Sequence, residues 1–336
     1  MSHWLERWWY QDKAIFWRAL CLPFHFVLSL LVFLRQFFYQ HGIFSSWRSP
    51  IPVVVVGNIA VGGTGKTPLV IFLAAQLQAQ GYKPGIISRG YGGQAQGCMA
   101  VSPSSLPELV GDEPILMAMR TACPVWIGRD RPAAAQALIA QHPECDVVIS
   151  DDGLQHYRLQ RDFEIIVVDG ERRFGNRLLL PFGPLRESLG RVASVDAVVI
   201  NGGEADDSVD AYFMRLNGQR FYKLNHLAET ASADDFKGKR IHALAGIGNP
   251  ARFFGHLRSL GLDFVERALP DHHQFAAADL QIAGAEVILM TEKDAIKCRD
   301  FEQENIWVLP VQAEVVGGLE AKLIGKLESF YGRKTA

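Results

Sequence analysis

The chain has 336 residues, 49% hydrophobic and 21% charged, with a formal net charge of −2. This composition excludes a disordered or fibrous polymer, and the near-neutral balance, without a long Lys/Arg run, excludes a nucleic-acid binder. The length favours two domains on one polypeptide, and the five cysteines, scattered, odd in number and without a Cys-x-x-Cys pair, read as free thiols of a reducing compartment.

The N-terminus departs from this ordinary picture. Residues 19–34, ALCLPFHFVLSLLVFL, are an apolar run with His25 as its one ionisable member. The run is short for a full crossing, which needs roughly 20 apolar residues. Upstream, Trp4, Trp8, Trp9, Tyr10 and Trp17 interleave with Arg7, Lys13 and Arg18, a mixture suited to the boundary between headgroups and acyl chains. Residues 1–40 are therefore expected to form a membrane-associated helix that lies in the interface in preference to spanning it. A signal peptide would need small residues at a cleavage site where the chain has Phe37, Phe38, Tyr39 and Gln40. A buried core helix would leave the Trp-rich leader unexplained.

Past Trp47, short β-branched runs alternate with helical stretches. Strands are expected over 53–56, 85–88, 125–127, 147–150, 165–168 and 197–200, with helices over 69–80 and 131–141. Most of these strands are apolar throughout, as in a parallel sheet covered by helices on both faces. The Gly- and Asp-rich stretch 202–210 suggests a boundary, giving a first domain over 41–205 and a smaller α/β domain over 206–336. In the second, strands are expected over 241–245, 287–290 and 306–309, and a helix over 250–260.

The strongest motif follows the first strand: Gly57-Asn58-Ile59-Ala60-Val61-Gly62-Gly63-Thr64-Gly65-Lys66-Thr67-Pro68, then an apolar helix. Residues 60–67 have the composition of a triphosphate loop. Glycines let backbone N–H groups close around phosphate oxygens, the helix N-terminus adds partial positive charge, Lys66 reaches the outer phosphates and Thr67 offers its hydroxyl to magnesium. The strict motif has Gly where this chain has Ala60. A membrane-bound partitioning ATPase shares the loop but carries a signature lysine where this chain has Val61.

Acidic residues directly after apolar strands are placed to reach a nucleotide. Asp151 and Asp152 follow the run 147–150, and one of them is expected to hold magnesium. Asp169 has the same placement but also fits a helix cap. Asp112 and Glu113 form a second acidic pair that could divide metal binding and proton acceptance, or cap the next helix.

Taken together, Gly57-Asn58, Gly62 to Pro68, Ser88-Arg89-Gly90-Tyr91-Gly92, Gly111-Asp112-Glu113-Pro114, Asp151-Asp152-Gly153-Leu154-Gln155-His156, Gly183-Pro184-Leu185-Arg186-Glu187, Asp271-His272-His273 and Thr291-Glu292-Lys293-Asp294 form an ordered set. The set resembles the tetraacyldisaccharide 4′-kinase family over most of the chain. The resemblance implies a P-loop fold with a second α/β domain and an N-terminal membrane helix. It implies transfer of the ATP γ-phosphate to the 4′-hydroxyl of a tetraacylated disaccharide 1-phosphate at the cytoplasmic face of the inner membrane, with Mg2+ and no obligate protein partner. On that resemblance Asp112 is the general base paired with His272, and Lys66, Arg186 and Glu187 have active-site roles. Thr67, Glu113, Asp151 and Asp152 are magnesium candidates, and Arg89, Gln155 and His156 are substrate-binding candidates. The 291–294 loop is expected to touch the nucleotide base.

Overall fold

The computed structural model describes residues 8–10, 15–203 and 210–334. Of the leader, Trp4, Arg7 and Lys13 lie outside the described residues, as do the side chains of Trp17 and Arg18 and most of the stretch 202–210.

Helix α1 (Ile15–Gln40) leads into β1 (Val53–Gly57), α2 (Lys66–Ala79), β2 (Pro84–Ser88), β3 (Met99–Val101), α3 (Pro107–Val110) and α4 (Asp112–Thr121). Next come β4 (Val125–Ile127), α5 (Arg131–Gln141), β5 (Val147–Asp151), β6 (Phe163–Asp169), β7 (Ala197–Asn201) and β8 (Tyr212–Asn217). A second group holds β9 (Arg220–Lys223), β10 (His226–Ser232), β11 (Ile241–Ala245), α6 (Pro250–Ser259), β12 (Val265–Ala268), α7 (Ala277–Leu280), β13 (Val287–Thr291), α8 (Glu292–Cys298) and β14 (Ile306–Leu309). The chain ends with β15 (Gln312–Val316) and α9 (Leu319–Lys334).

The first sheet has nine strands in the order β15-β8-β7-β6-β1-β5-β2-β4-β3. All its pairings are parallel except those of β3 with β4 and of β15 with β8, at the two edges. Strands β1, β2, β5 and β6 are buried along their whole length, which is why they read as unbroken apolar runs. In β1, Val54 and Val56 face one core and Val53 and Val55 the other. Helix α2 enters the first core with Leu69, Val70, Leu73 and Leu77, and α9 enters it with Leu319, Leu323 and Leu327, one residue per turn.

The second sheet has six strands in the order β10-β9-β14-β13-β11-β12, with its four right-hand strands parallel. The expected cut near residue 205 falls inside the first sheet, between β7 and β8. The second sheet uses only the chain between β8 and β15, after which the C-terminus returns to the first.

Helix α1 lies along the body. His25 Nδ1 receives the Leu179 N–H at 3.2 Å, Leu28 and Val32 pack into the second core, and Arg35 donates to the Gln155 carbonyl at 3.0 Å. Its other face leaves Phe24, Phe26 and Phe33 exposed by 63%, 71% and 60%.

Candidate active site

Strand β1 sits between β5 and β6, where the strand order reverses, so a crevice opens outside its carboxyl end. The loop from Gly57 to α2 fills that crevice's floor. Gly65 caps α2 in the left-handed region (φ 93°), and a Cβ there would stand 2.2 Å from Asn201 Nδ2. No other residue type fits. Asn201 Nδ2 donates to the Thr64 carbonyl at 2.9 Å, and Asn58 Nδ2 to Thr64 Oγ1 at 3.4 Å. Residues 184–186 pin the loop from outside, with Val61 N donating to Pro184 O at 2.8 Å and Arg186 N to Ile59 O at 2.6 Å. Ala60 is buried, with its methyl among the apolar residues of the second core.

Asp151 ends β5, fully buried, and accepts the Ser88 hydroxyl on Oδ2 at 3.1 Å. Burial, with Glu113 and Asp152 nearby, raises its carboxyl above the ordinary range. Its Oδ1 is buried without a hydrogen-bond partner. Asp152 has a left-handed backbone (φ 47°) and faces Lys66 Nζ at 3.5 Å and Arg186 at 3.1 Å. Burial works to raise Asp152, but Lys66 and Arg186 outweigh it and hold the carboxyl at about 2. Among the described residues no three His, Cys, Asp or Glu side chains converge as a metal cage. The unsatisfied Asp151 oxygen fits the other way of holding magnesium, in which one carboxylate and a loop hydroxyl share the ion with phosphate oxygens.

Across the crevice, the second sheet meets the first. Asp112 opens α4 and is 4% exposed; its Oδ1 receives the Glu113 N–H at 2.9 Å, and its Oδ2 faces His272 Nδ1 at 3.3 Å. His272 adopts a left-handed backbone (φ 59°), donates its N–H to Gly246 O at 3.2 Å and lies against the Tyr91 ring. That conformation costs about 1 kcal/mol in a non-glycine residue and aims the imidazole at Asp112. Behind the pair stands helix α8. Lys297 Nζ is 3.8 Å from Asp112 Oδ2 and 3.0 Å from Asp294, which also accepts the Gly246 N–H at 3.0 Å. Lys293 Nζ bonds Glu113 at 2.9 Å and approaches Asp271 at 3.6 Å and His272 Nε2 at 3.4 Å. Burial would raise Asp112, but contact with His272, helped by Lys293 and Lys297, brings it below the usual carboxylate value. The same contact raises His272 against burial and Lys293.

A family model described as tetraacyldisaccharide-1-P 4′-kinase matches residues 17–328. The chain belongs to that family. Its tetraacyldisaccharide 4′-kinase relative from Methylobacillus flagellatus is 47% identical over 326 residues, 97% of this chain and 96% of that protein. The relative from Azoarcus sp. is 50% identical over 324 residues, 95% and 94% of the two. The crystal structure of the "apo" form of LpxK from Aquifex aeolicus in complex with ATP matches with a TM-score of 0.77 at 29% identity, covering 92% of this chain and 99% of that one. The protein is an ATP-dependent lipid-sugar kinase.

In this kinase the residues picked from the sequence form two gathered sets and a scattered remainder. Lys66, Thr67, Asp151, Asp152 and Arg186 gather at the phosphate loop, and Asp112, Glu113 and His272 gather across the crevice. Glu113 is engaged with Lys293. Glu187 points into the protein, where it accepts the Tyr157 hydroxyl at 2.7 Å and pairs with Arg191 at 3.2 Å. Gln155 Nε2 donates to the Asn58 carbonyl at 3.1 Å, and Arg89 is exposed. His156 is half-buried near Arg131 and Arg89, and desolvation plus their charge lowers it to about 4. Asp169 accepts the N–H groups of Glu171 and Arg172, capping a turn, and pairs with Arg252 at 3.0 Å. Residues 291–294 form the junction of β13 and α8: Lys293 serves Glu113 and His272, Glu292 bonds Arg120, and Asp294 is buried beneath Gly246. Lys297 and Asn201 had no sequence signal beyond their positions one helical turn after Asp294 and at the end of a strand.

Proposed function

We propose that Asp112 accepts the proton when the 4′-hydroxyl of the tetraacyldisaccharide 1-phosphate attacks the γ-phosphorus of ATP. The new P–O bond forms at the sugar oxygen, the bond to the β-phosphate oxygen breaks, and ADP leaves. The observation that carries this reading is the Asp112–His272 contact, a buried carboxylate whose Oδ2 faces an imidazole from the opposite sheet at 3.3 Å. His272 and Lys297 favour the ionised form of Asp112, so the carboxylate is ready to take a proton at neutral pH. A secondary hydroxyl needs such an acceptor, because it is a poor nucleophile while protonated.

Lys66 is proposed to neutralise charge that builds on the transferring phosphoryl group, and Arg186 to hold Asp152. Asp152 in turn restrains the Lys66 ammonium at 3.5 Å before the nucleotide arrives. Thr67 and Asp151 would hold magnesium, which when bound would offset charge on the phosphate oxygens. Tyr91, its ring centre 5.0 Å from that of His272, helps hold the imidazole in place.

The kinase is further proposed to sit on the cytoplasmic face of the inner membrane as a monotopic protein. Helix α1 is engaged with the body from Phe24 to Tyr39, through Phe182, Leu179, Gln155 and Tyr157, so its outer face is free to enter the acyl layer while the helix stays attached. Incubation with γ-labelled ATP and the disaccharide tests the reaction: label is expected in the lipid, with little ATP turnover when the acceptor is left out. Rapid acceptor-independent hydrolysis would favour a switch-type ATPase.

A further inference from the structure

We propose that the cleft between the N-terminal aromatic segment and residues 171–177 binds the phosphate headgroups of anionic phospholipids. The cleft has a volume of about 360 Å3 and is lined by Trp9 and Tyr10 on one side and by Arg172, Arg173 and Arg177 on the other, with Glu171 as its one acid. Three guanidinium groups against one carboxylate give it a net positive field, and guanidinium forks match phosphate oxygens in pairs.

Its walls are fixed. Trp9 Nε1 donates to the Pro181 carbonyl at 3.2 Å, Asn176 N donates to the Trp9 carbonyl at 2.7 Å, and the Arg172 guanidinium lies 5.6 Å from the Tyr10 ring centre. Arg173 and Arg177 both have left-handed backbones, at φ 46° and 64°. Each such residue costs about 1 kcal/mol, so these two arginines are held where an unstrained loop would not put them. Both are exposed.

The position of the cleft selects the ligand. The same loop is bound to α1, through the Leu179 N–H on His25 and the Phe182 ring 6.2 Å from Phe24. Phe24, Phe26 and Leu180 are exposed beside it. When that apolar face enters the acyl layer, the cleft lies at the level of the lipid phosphates, with Trp9 and Tyr10 as aromatic residues of the interface. The inference rests on the membrane pose proposed above. Arg172 also nears the phosphate loop, where a Cβ on Gly62 would stand 3.7 Å from its Nη1, and it donates to the Gly248 carbonyl at 3.4 Å, so the test leaves it in place.

The experiment compares full-length kinase with an Arg173→Asn/Arg177→Asn variant, asparagine being tolerant of the left-handed region. Binding is measured to vesicles of phosphatidylcholine alone and with a third phosphatidylglycerol. Wild type is expected to prefer the anionic vesicles, and the variant to lose about fivefold per arginine on those vesicles, about 25-fold together, from about 1 kcal/mol per basic residue at an anionic surface. It should bind neutral vesicles as wild type does and keep its kcat, and its KM for ATP, on detergent-dispersed acceptor. Equal wild-type binding to both vesicle types would leave the membrane pose standing and overturn the headgroup site. Binding to neither would overturn both. A raised KM for ATP or for the disaccharide in the variant would assign the cleft to the reaction's own phosphates. The single variant Arg177→Lys, which retains charge, should keep most of the anionic preference.

Discussion

Because Asp112 opens α4 beside the first sheet and His272 lies in the turn after β12 of the second, a double-mutant cycle can separate them without dismantling the phosphate loop. At 3.3 Å and an effective dielectric of about 20, a carboxylate and an imidazolium attract by about 5 kcal/mol. His272 keeps 21% of its side chain exposed and has Lys293 at 3.4 Å as a competing cation. Solvent and that competition reduce the net coupling to about 2 kcal/mol, or about thirtyfold in rate. Asp112→Asn removes the proton acceptor and should lower kcat by about 1,000-fold. His272→Ala should lower it by about thirtyfold, and the double variant should sit close to Asp112→Asn alone. The assay is label transfer at saturating ATP and acceptor, with KM for ATP expected to stay near wild type. A double variant reduced by the product of the two factors would refute the pairing.

The pH dependence follows from the same contact. Asp112 lies below its ordinary value, so the acid limb of kcat/KM, where the base gains a proton, should fall below the usual carboxylate range. Without His272 the largest influence left on Asp112 is burial, which raises it, and the limb should move to higher pH.

Lys66→Ala should cut kcat by at least about 100-fold in a protein with an unchanged thermal transition, since its ammonium acts on charge that develops during transfer; wild-type turnover would remove it from the phosphate site. Lys297→Met should lower stability by about 3 kcal/mol in chemical denaturation, because Asp294, with no exposed surface, loses its cation, and unaltered stability would contradict the buried pair. Asp152 is held at about 2 against 3.8, so its ion pairs stabilise the fold fully above about pH 4 and cease to do so as pH falls toward 2. The stability gap between wild type and Asp152→Asn, about 2 kcal/mol at neutral pH, should therefore shrink through that window; a gap independent of pH would rule out ionic stabilisation. Phe26→Asp/Phe33→Asp alters only exposed positions of α1 and should weaken binding to neutral vesicles by at least about 100-fold, from the loss of two buried aromatic side chains at about 1.5–3 kcal/mol each, and unchanged binding would place the membrane contact elsewhere.

The phosphate loop and the aspartates after β5 were legible because their signals are local: strand, loop and helix follow one another, and φ > 0 is written as glycine. The contact of Asp112 with His272 was not legible from the residues themselves, since it joins two sheets and depends on a left-handed backbone that a histidine does not advertise. The family resemblance supplied the pair, but not Lys297 or the true surroundings of Lys293. The neighbours Arg186 and Glu187 diverge in a way the sequence does not show: Arg186 turns toward Asp152 while Glu187 turns inward to Tyr157 and Arg191. Edge strands were missed for a different reason. Six of the seven residues of β10 and all four of β12 are at least partly exposed, so neither shows an apolar run. Nothing local in β8, β15 or α9 says which sheet they join, and the chain's return to the first sheet follows from the apolar row Leu319, Leu323 and Leu327 finding the core beside α2.

Both sheets direct strand ends at the same crevice. From the first come the phosphate loop after β1 and Asp151 at the end of β5; from the second come residues 246–248 after β11 and helix α8 after β13. The backbones meet at two glycines, where a Cβ on Gly248 would stand 2.6 Å from Gly63 N. Any side chain there would force the sheets apart, and with them His272 and Lys297 from Asp112. The phosphate loop therefore belongs to one sheet, whereas the proposed proton acceptor and its cations draw on both. On the roles proposed for Asp112 and the phosphate loop, ATP can be held by the first sheet without an equally capable base beside it, because Asp112 alone lacks the cations that favour its ionised form. The meeting of the sheets at Gly63 and Gly248 thus sets how near His272 and Lys297 stand to Asp112, and with it the proposed proton acceptance.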